Sequence, residues 1–231
     1  QNTMRHIRHD ATRELLHAQG PLLLLITAIF TIYFAQETAE IPWWGSFMVF
    51  PAAITEAWRE ALGGHLGIDQ LKEFGTLLSY AFLHGSPEHV INNMLFLWIF
   101  AALIAELVGH RWMFATFAFT AVSGALLHVV LNRDEFIPML GASGAVMGFE
   151  GAYLGLAVRW LLPDPHVWPM SRPISPGQLA LIGVAGLAID YYSLLSRSES
   201  NVAYAAHMGG FAGGLIMAAL IPVKPRGARH R

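Results

Sequence analysis

Six stretches of this chain are too long and too apolar to be ordinary surface helices: Gly20–Gln36, His89–Val108, Trp112–Leu131, Ser143–Leu162, Gln178–Ser196 and Val202–Ile221. A helix rises 1.5 Å per residue, so about 20 apolar residues cross a bilayer core, with about 17 the short limit. Most of the stretches meet the requirement, and Gly20–Gln36 sits near the limit. The fold this dictates is an all-α, polytopic bundle of six transmembrane helices. Only 13% of the residues are charged, about half the roughly 25% of a soluble domain, which points the same way. The expected organisation is a cytoplasmic segment over residues 1–19, a membrane domain over 20–222 and a basic cytoplasmic tail over 223–231.

Lysine and arginine set the orientation. With the N-terminus inside, Arg5, Arg8, Arg13, Arg111, Arg159, Arg172, Lys224, Arg226, Arg229 and Arg231 fall inside, and Arg59, Lys72, Arg133 and Arg197 fall outside. The positive-inside rule therefore places both termini in the cytoplasm. The segment Met4–Arg13 is polar and basic and lacks the apolar centre of a secretory signal. The chain opens on Gln1, so a native N-terminus further upstream is expected.

The connector over residues 37–88 is too long for a turn. Its Pro42-Trp43-Trp44 and Trp58 suit the headgroup zone, where tryptophan is enriched, and an amphipathic helix is expected around Ala57-Trp58. A net charge of −2 offers no basic surface for nucleic acid, and the absence of cysteine removes thiolate catalysis and disulfides. No His-Glu-x-x-His sequence occurs, which argues against a membrane zinc protease.

The topology gathers polar groups. Spans two, four and six all begin at the outer face. His89 and Asn93 lie in the first turns of span two, Ser143 opens span four, and His207 is about a turn and a half into span six. All four then fall within roughly 10 Å of the outer ends of their helices. Singly, such a serine is most often a cap and such a histidine a structural hydrogen-bonder. Together they suit nucleophilic catalysis, with Ser143 attacking, His207 as its base, and donors from His89 and Asn93 facing an oxyanion. Glycine pairs four apart, at Gly144/Gly148, Gly151/Gly155, Gly209/Gly213 and Gly210/Gly214, would let spans four and six approach closely. Hydrophilic residues near these helix starts, Ser86, Asn92 and Asn201, are expected to line an aqueous opening.

Glu150 lies seven residues past Ser143, on nearly the same helix face and about 10 Å deeper. An ionised carboxylate there would be strongly disfavoured. The expectation is a mostly protonated side chain that supports the bundle, facing spans two and six in room left by Gly210 and Gly214.

The sequence resembles the rhomboid family of intramembrane serine proteases. The matching residues are Gly-Ala-Ser-Gly at 141–144, His-Val-Ile-Asn-Asn at 89–93 and Ala-His-Met-Gly-Gly-Phe-Ala-Gly-Gly at 206–214, preceded by Leu-Leu-Ser-Tyr-Ala-Phe-Leu-His at 77–84. The resemblance implies a Ser143–His207 dyad without a third acid. It also implies an oxyanion hole from His89, Asn93 and the Ser143 N–H, no metal or cofactor, and membrane-protein substrates with an unstable transmembrane or juxtamembrane segment. A bacterial inner membrane is the expected location; oligomeric state stays open.

Three departures stand out. Met147 replaces a tyrosine found in some members four residues after the serine; Phe74-Gly75 stand near a frequent Trp-Arg pair; and no basic residue lies between Glu106 and Gly109. The rival readings are a non-catalytic, rhomboid-like protein that binds membrane clients and, from a different class, a transporter suggested by His128, Glu150, Asp190 and His207. Retention of both Ser143 and His207 argues against the first. The absence of matching inverted halves argues against the second.

Overall fold

The computed structural model describes residues 2–40, 42–165, 175–195 and 203–230. The chain is mostly helical: α1 Asn2–Thr38, α2 Pro51–Leu62, α3 Ile68–Ser79, α4 Pro87–Val108, α5 His110–Leu131, α6 Ser143–Arg159, α7 Pro176–Leu195 and α8 Tyr204–Leu220. Short 3₁₀ segments lie at Trp43–Phe47 and Tyr80–Phe82. The described residues depart from an all-α fold in a two-residue antiparallel pair, β1 Trp160–Leu161 with β2 Arg229–His230, and in an isolated bridge between Val49 and Met139. Arg197, Asn201 and Val202 lie outside the described residues.

Helices occupy all six apolar stretches. By length and composition, Ala18–Thr38, Pro87–Val108 and His110–Leu131 are long and apolar enough to cross a membrane, while α6 and α8 are shorter at 17 residues each. The fourth stretch stops being helical at Arg159 rather than Leu162, because Trp160 and Leu161 pair with the C-terminal tail.

Local chemistry sets the ends of α4. The Ser86 hydroxyl accepts from the His89 N–H at 3.2 Å, Pro87 begins the helix, and Glu88 follows in the first turn. This is a strong helix start, since the serine satisfies an orphan N–H and the acid faces the positive end of the dipole. The helix stops at Gly109, whose φ of 94° favours glycine.

α1 lies antiparallel along α4. Trp98 Nε1 donates to Gln19 Oε1 at 3.0 Å, and the His110 ring meets the Ala18 carbonyl at 2.7 Å. At the other end the Gln36 amide bonds both the N–H and the C=O of His84, at 3.2 and 3.3 Å. The connector between α1 and α4 holds two helices where one was expected. The Trp58 ring of α2 meets Phe74 of α3 edge-on at 6.1 Å. Val49 exchanges both backbone bonds with Met139, at 3.1 and 2.8 Å, which ties this connector to the one preceding α6.

The bundle is built around α6, which packs against α4, α5, α7 and most extensively α8. The α6–α8 seam is a contact of backbones. The Gly144 carbonyl fills the place a Gly210 side chain would take, and the Gly148 carbonyl does the same at Gly214. Further along, a Cβ at Gly155 would stand 2.5 Å from the Ala218 methyl. On its other side α8 presses into α5, where a Gly209 Cβ would lie 2.7 Å from the Ser123 carbonyl. Such glycine grooves give association by dispersion where lipid offers no hydrophobic gain.

At the far end of the seam, the Arg159 guanidinium donates to the Ala218 and Ile221 carbonyls that close α8. A cation there offsets the negative end of the helix dipole. The tail then folds back onto the bundle. Its Arg226 N–H bonds the Leu107 carbonyl at 2.8 Å, and Lys224 lies over the Trp160 ring at 5.9 Å.

Candidate active site

α4, α6 and α8 begin at the same end of the bundle, so the topology brings their first turns together. The loop that delivers Ser143 is held tightly. Gly141 has a φ of 120°, and its N–H bonds the Tyr80 carbonyl at 3.0 Å. The Ala142 N–H bonds Nε2 of His84 at 3.4 Å. Helix α6 starts with Ser143, so the N–H groups of Ser143 and Gly144 have no acceptor one turn earlier. They form the positive end of the helix dipole.

His89 and Asn93, one turn apart on α4, bracket this loop. A Cβ at Gly141 would lie 2.7 Å from His89 Nε2 and 3.7 Å from Asn93 Nδ2. Glycine is therefore required twice over, by its φ and by the ring against its Cα. The Asn93 amide nitrogen is buried and has no hydrogen-bond partner among the described residues. A buried donor without an acceptor costs about 1–3 kcal/mol, and such orphans call for a reason.

His207 approaches through the tight seam. Gly144, next to Ser143, packs against the Ala206 carbonyl, next to His207, with a Gly144 Cβ position 3.2 Å from that oxygen. His207 is also within electrostatic reach of His89. Ser143 and His207 are both half-buried. The four residues singled out in the sequence thus share one neighbourhood.

Met147 extends toward α7, its methyl 4.0 Å from the position of a Gly186 Cβ. An aromatic ring stands beside His207 even so. It is Tyr204 of α8, perpendicular at 6.3 Å.

Glu150 is buried, but its surroundings differ from the expectation. The spaces at Gly210 and Gly214 are taken by the carbonyls of Gly144 and Gly148. The room for Glu150 comes from α7, where a Cβ at Gly183 would lie 3.0 Å from Glu150 Oε2. The face that carries Met147 and Glu150 meets α7. Ser86 caps α4, and Asn92 is exposed beside the site.

Motif spacing gives no functional signal at His84, which ends the Leu-Leu-Ser-Tyr-Ala-Phe-Leu-His segment. It is 1% exposed, and its ring meets His89 edge to face with centroids 5.1 Å apart. Burial, aided by His89, pushes its pKa down to about 3. The ring is therefore neutral near pH 7, and accepting at Nε2 assigns the proton to Nδ1.

Bundled apolar helices around a half-buried serine, two histidines and an orphaned amide define a helical membrane protein with a polar site between its helices. A protein-family model, the Rhomboid domain, matches residues 71–223. The chain belongs to the rhomboid family, integral membrane proteins typified by intramembrane serine proteases.

Relatives at low identity agree. The chain is 24% identical over 177 residues to the putative rhomboid protease YdcA of Bacillus subtilis, covering 75% of this chain and 80% of that protein. It is 22% identical over 219 residues to the rhomboid protease GlpG of Klebsiella pneumoniae, covering 93% and 68%. It is 30% identical over 139 residues to Rhomboid protein 1, mitochondrial, of Saccharomyces cerevisiae, covering 58% of this chain and 38% of the yeast protein.

Proposed function

We propose that this chain is an intramembrane serine endopeptidase that cuts transmembrane or juxtamembrane segments of membrane proteins. The observation that carries this reading is the convergence at Gly141–Ser143. There the His89 imidazole and the unpartnered, buried Asn93 amide pack against Gly141, two residues before the serine that starts α6.

In the proposed reaction Ser143 Oγ attacks the scissile carbonyl while His207 takes its proton. The carbonyl oxygen gains negative charge and accepts from the Ser143 N–H, Asn93 Nδ2 and His89. Collapse of the tetrahedral intermediate breaks the C–N bond, and protonated His207 gives its proton to the leaving amine. Water then attacks the Ser143 ester with His207 again as base, releasing the acid and restoring the serine. Every group used belongs to the protein. The helix N-terminus at Ser143 adds a fixed positive potential where the oxyanion forms.

The proposed topology has six spans within residues 20–222, both termini in the cytoplasm, and the connector over 37–88 resting in the outer interface. Water would reach Ser143 from the outer side. A bacterial inner membrane fits the basic distribution. Substrates would enter from the bilayer, where an unstable helix can expose its backbone to the serine.

The test is cleavage of a model transmembrane substrate in proteoliposomes. Wild type should cut, and Ser143→Ala and His207→Ala should not, while both variants stay folded. Asn93→Ala should lose about 10²–10³ in rate, as for one oxyanion donor. Robust cutting by Ser143→Ala would overturn the mechanism, and a folded wild type that binds substrates without cutting any would favour a non-catalytic, client-binding protein.

A further inference from the structure

His84 makes more directed contacts around the site than any role in helix packing requires. Its backbone N–H and C=O are both held by the Gln36 amide of α1. Its ring Nε2 accepts the Ala142 N–H, and the ring edge meets His89. Ala142 is fully buried, so its N–H has no water to fall back on. The residue thus links α1, the loop that ends at Ser143, and the ring beside Gly141.

We propose that His84 is a positioning residue: it fixes the Ala142 peptide, and through it the direction of the Ser143 N–H, while setting the His89 ring. The role rests on the serine protease reading given above. The peptide chain supplies the reason. The Gly141 N–H is taken by Tyr80 and the Ala142 N–H by His84, which leaves Ser143 as the first N–H in this loop free to face substrate. If the Ala142 bond were lost, that peptide plane could turn, and the next N–H would turn with it. His84 remains neutral because burial holds its pKa at about 3, so Nε2 keeps its lone pair throughout the working pH range.

Three substitutions separate positioning from simple filling of space. The end of a glutamine side chain falls where Nε2 of histidine lies, so His84→Gln keeps an acceptor for Ala142. The end of an asparagine side chain falls nearer Nδ1, and His84→Asn misplaces it. His84→Phe keeps a ring against His89 but has no acceptor. In proteoliposomes, kcat should fall about 10–100-fold for the Phe and Asn variants, the scale of a roughly 1 Å misplacement. KM should move little, and the Gln variant should recover most of the loss. Equal kcat for Phe and wild type, or equal loss for Gln and Asn, would overturn the proposal.

A second measurement needs no catalysis. In wild type labelled with ¹⁵N-histidine, with His84→Gln used for assignment, the His84 resonance should report protonated Nδ1 and bare Nε2 at both pH 7 and pH 5. A protonated Nε2 would overturn the contact. Should the wild type prove unable to cleave, the protease reading falls while this spectrum still decides whether His84 holds Ala142.

Discussion

Gly210 of α8 has no side chain, and the carbonyl of Gly144 on α6 stands where one would be. Four residues along, the carbonyl of Gly148 fills the same space at Gly214. These contacts set how closely the helix of His207 approaches the helix of Ser143. They are backbone contacts, so nothing on α6 can step aside.

Gly210→Ala and Gly214→Ala should therefore force the two helices apart. The expected loss is about 1–3 kcal/mol, typical of overpacking, together with most of the activity. Gly75→Ala is the control. Gly75 lies within α3 with nothing near its Cβ position, and alanine is the better helix former there by up to about 1 kcal/mol. Thermal unfolding in detergent micelles should show lower midpoints for the first two variants and an unchanged or raised one for the third.

Glu150 and Gly183 make a second pair. The carboxyl group is buried against the notch that Gly183 leaves in α7. Glu150→Gln keeps the shape and a hydrogen-bond donor, so near-normal folding and cleavage are expected. Glu150→Leu should destabilise by stranding whatever the carboxyl bonds. Gly183→Val should loosen α7 from α6, read as a lower thermal-unfolding midpoint in detergent micelles. A Gln variant that folds but turns over no faster than Ser143→Ala would instead assign Glu150 to proton or water transfer.

His84 gives the fold a pH dependence of defined sign. Its folded pKa is about 3 against 6.5 for an ordinary histidine. Between those values the unfolded chain binds a proton that the folded protein does not. Stability is then fully present above about pH 6.5 and is lost as pH falls toward 3, by at most about 1.4 kcal/mol per pH unit. The charged form is disfavoured first by burial and then by His89, which faces the ring from α4. Carboxylates titrate in the same range, so the useful quantity is a difference. Wild type should lose stability relative to His84→Gln between pH 6.5 and 4, and parallel curves would contradict a buried neutral imidazole.

That all six apolar stretches are helical could be read directly, because the runs are unbroken and the breaks between them are marked by proline and glycine. That His89, Asn93, Ser143 and His207 lie at one end of the bundle could be read because three short motifs fall at the starts of alternate helices. The β1–β2 pair could not. Two residues have no periodicity, and Arg229-His230 looks like solvated tail until Trp160 is found beside it. α3 was missed because its polar residues Asp69, Gln70 and Lys72 suit a loop as well as a surface helix. Glu150 was placed on the correct helix but against the wrong neighbour, since spacing along a helix does not say which other helix a face meets. His84 escaped notice because it sits outside any helix, and its value lies in bonds to groups distant in sequence, the Gln36 amide and the Ala142 N–H.

The most direct measurement asks whether Ser143 is an activated nucleophile. Purified protein in detergent micelles is treated with a fluorophosphonate, and the modified peptide is identified by mass spectrometry. A single adduct on Ser143 is expected in wild type, greatly reduced in His207→Ala and unchanged in Glu150→Gln. No adduct on Ser143 under conditions that label a control serine protease, or one that forms equally well without His207, would contradict a Ser143–His207 dyad.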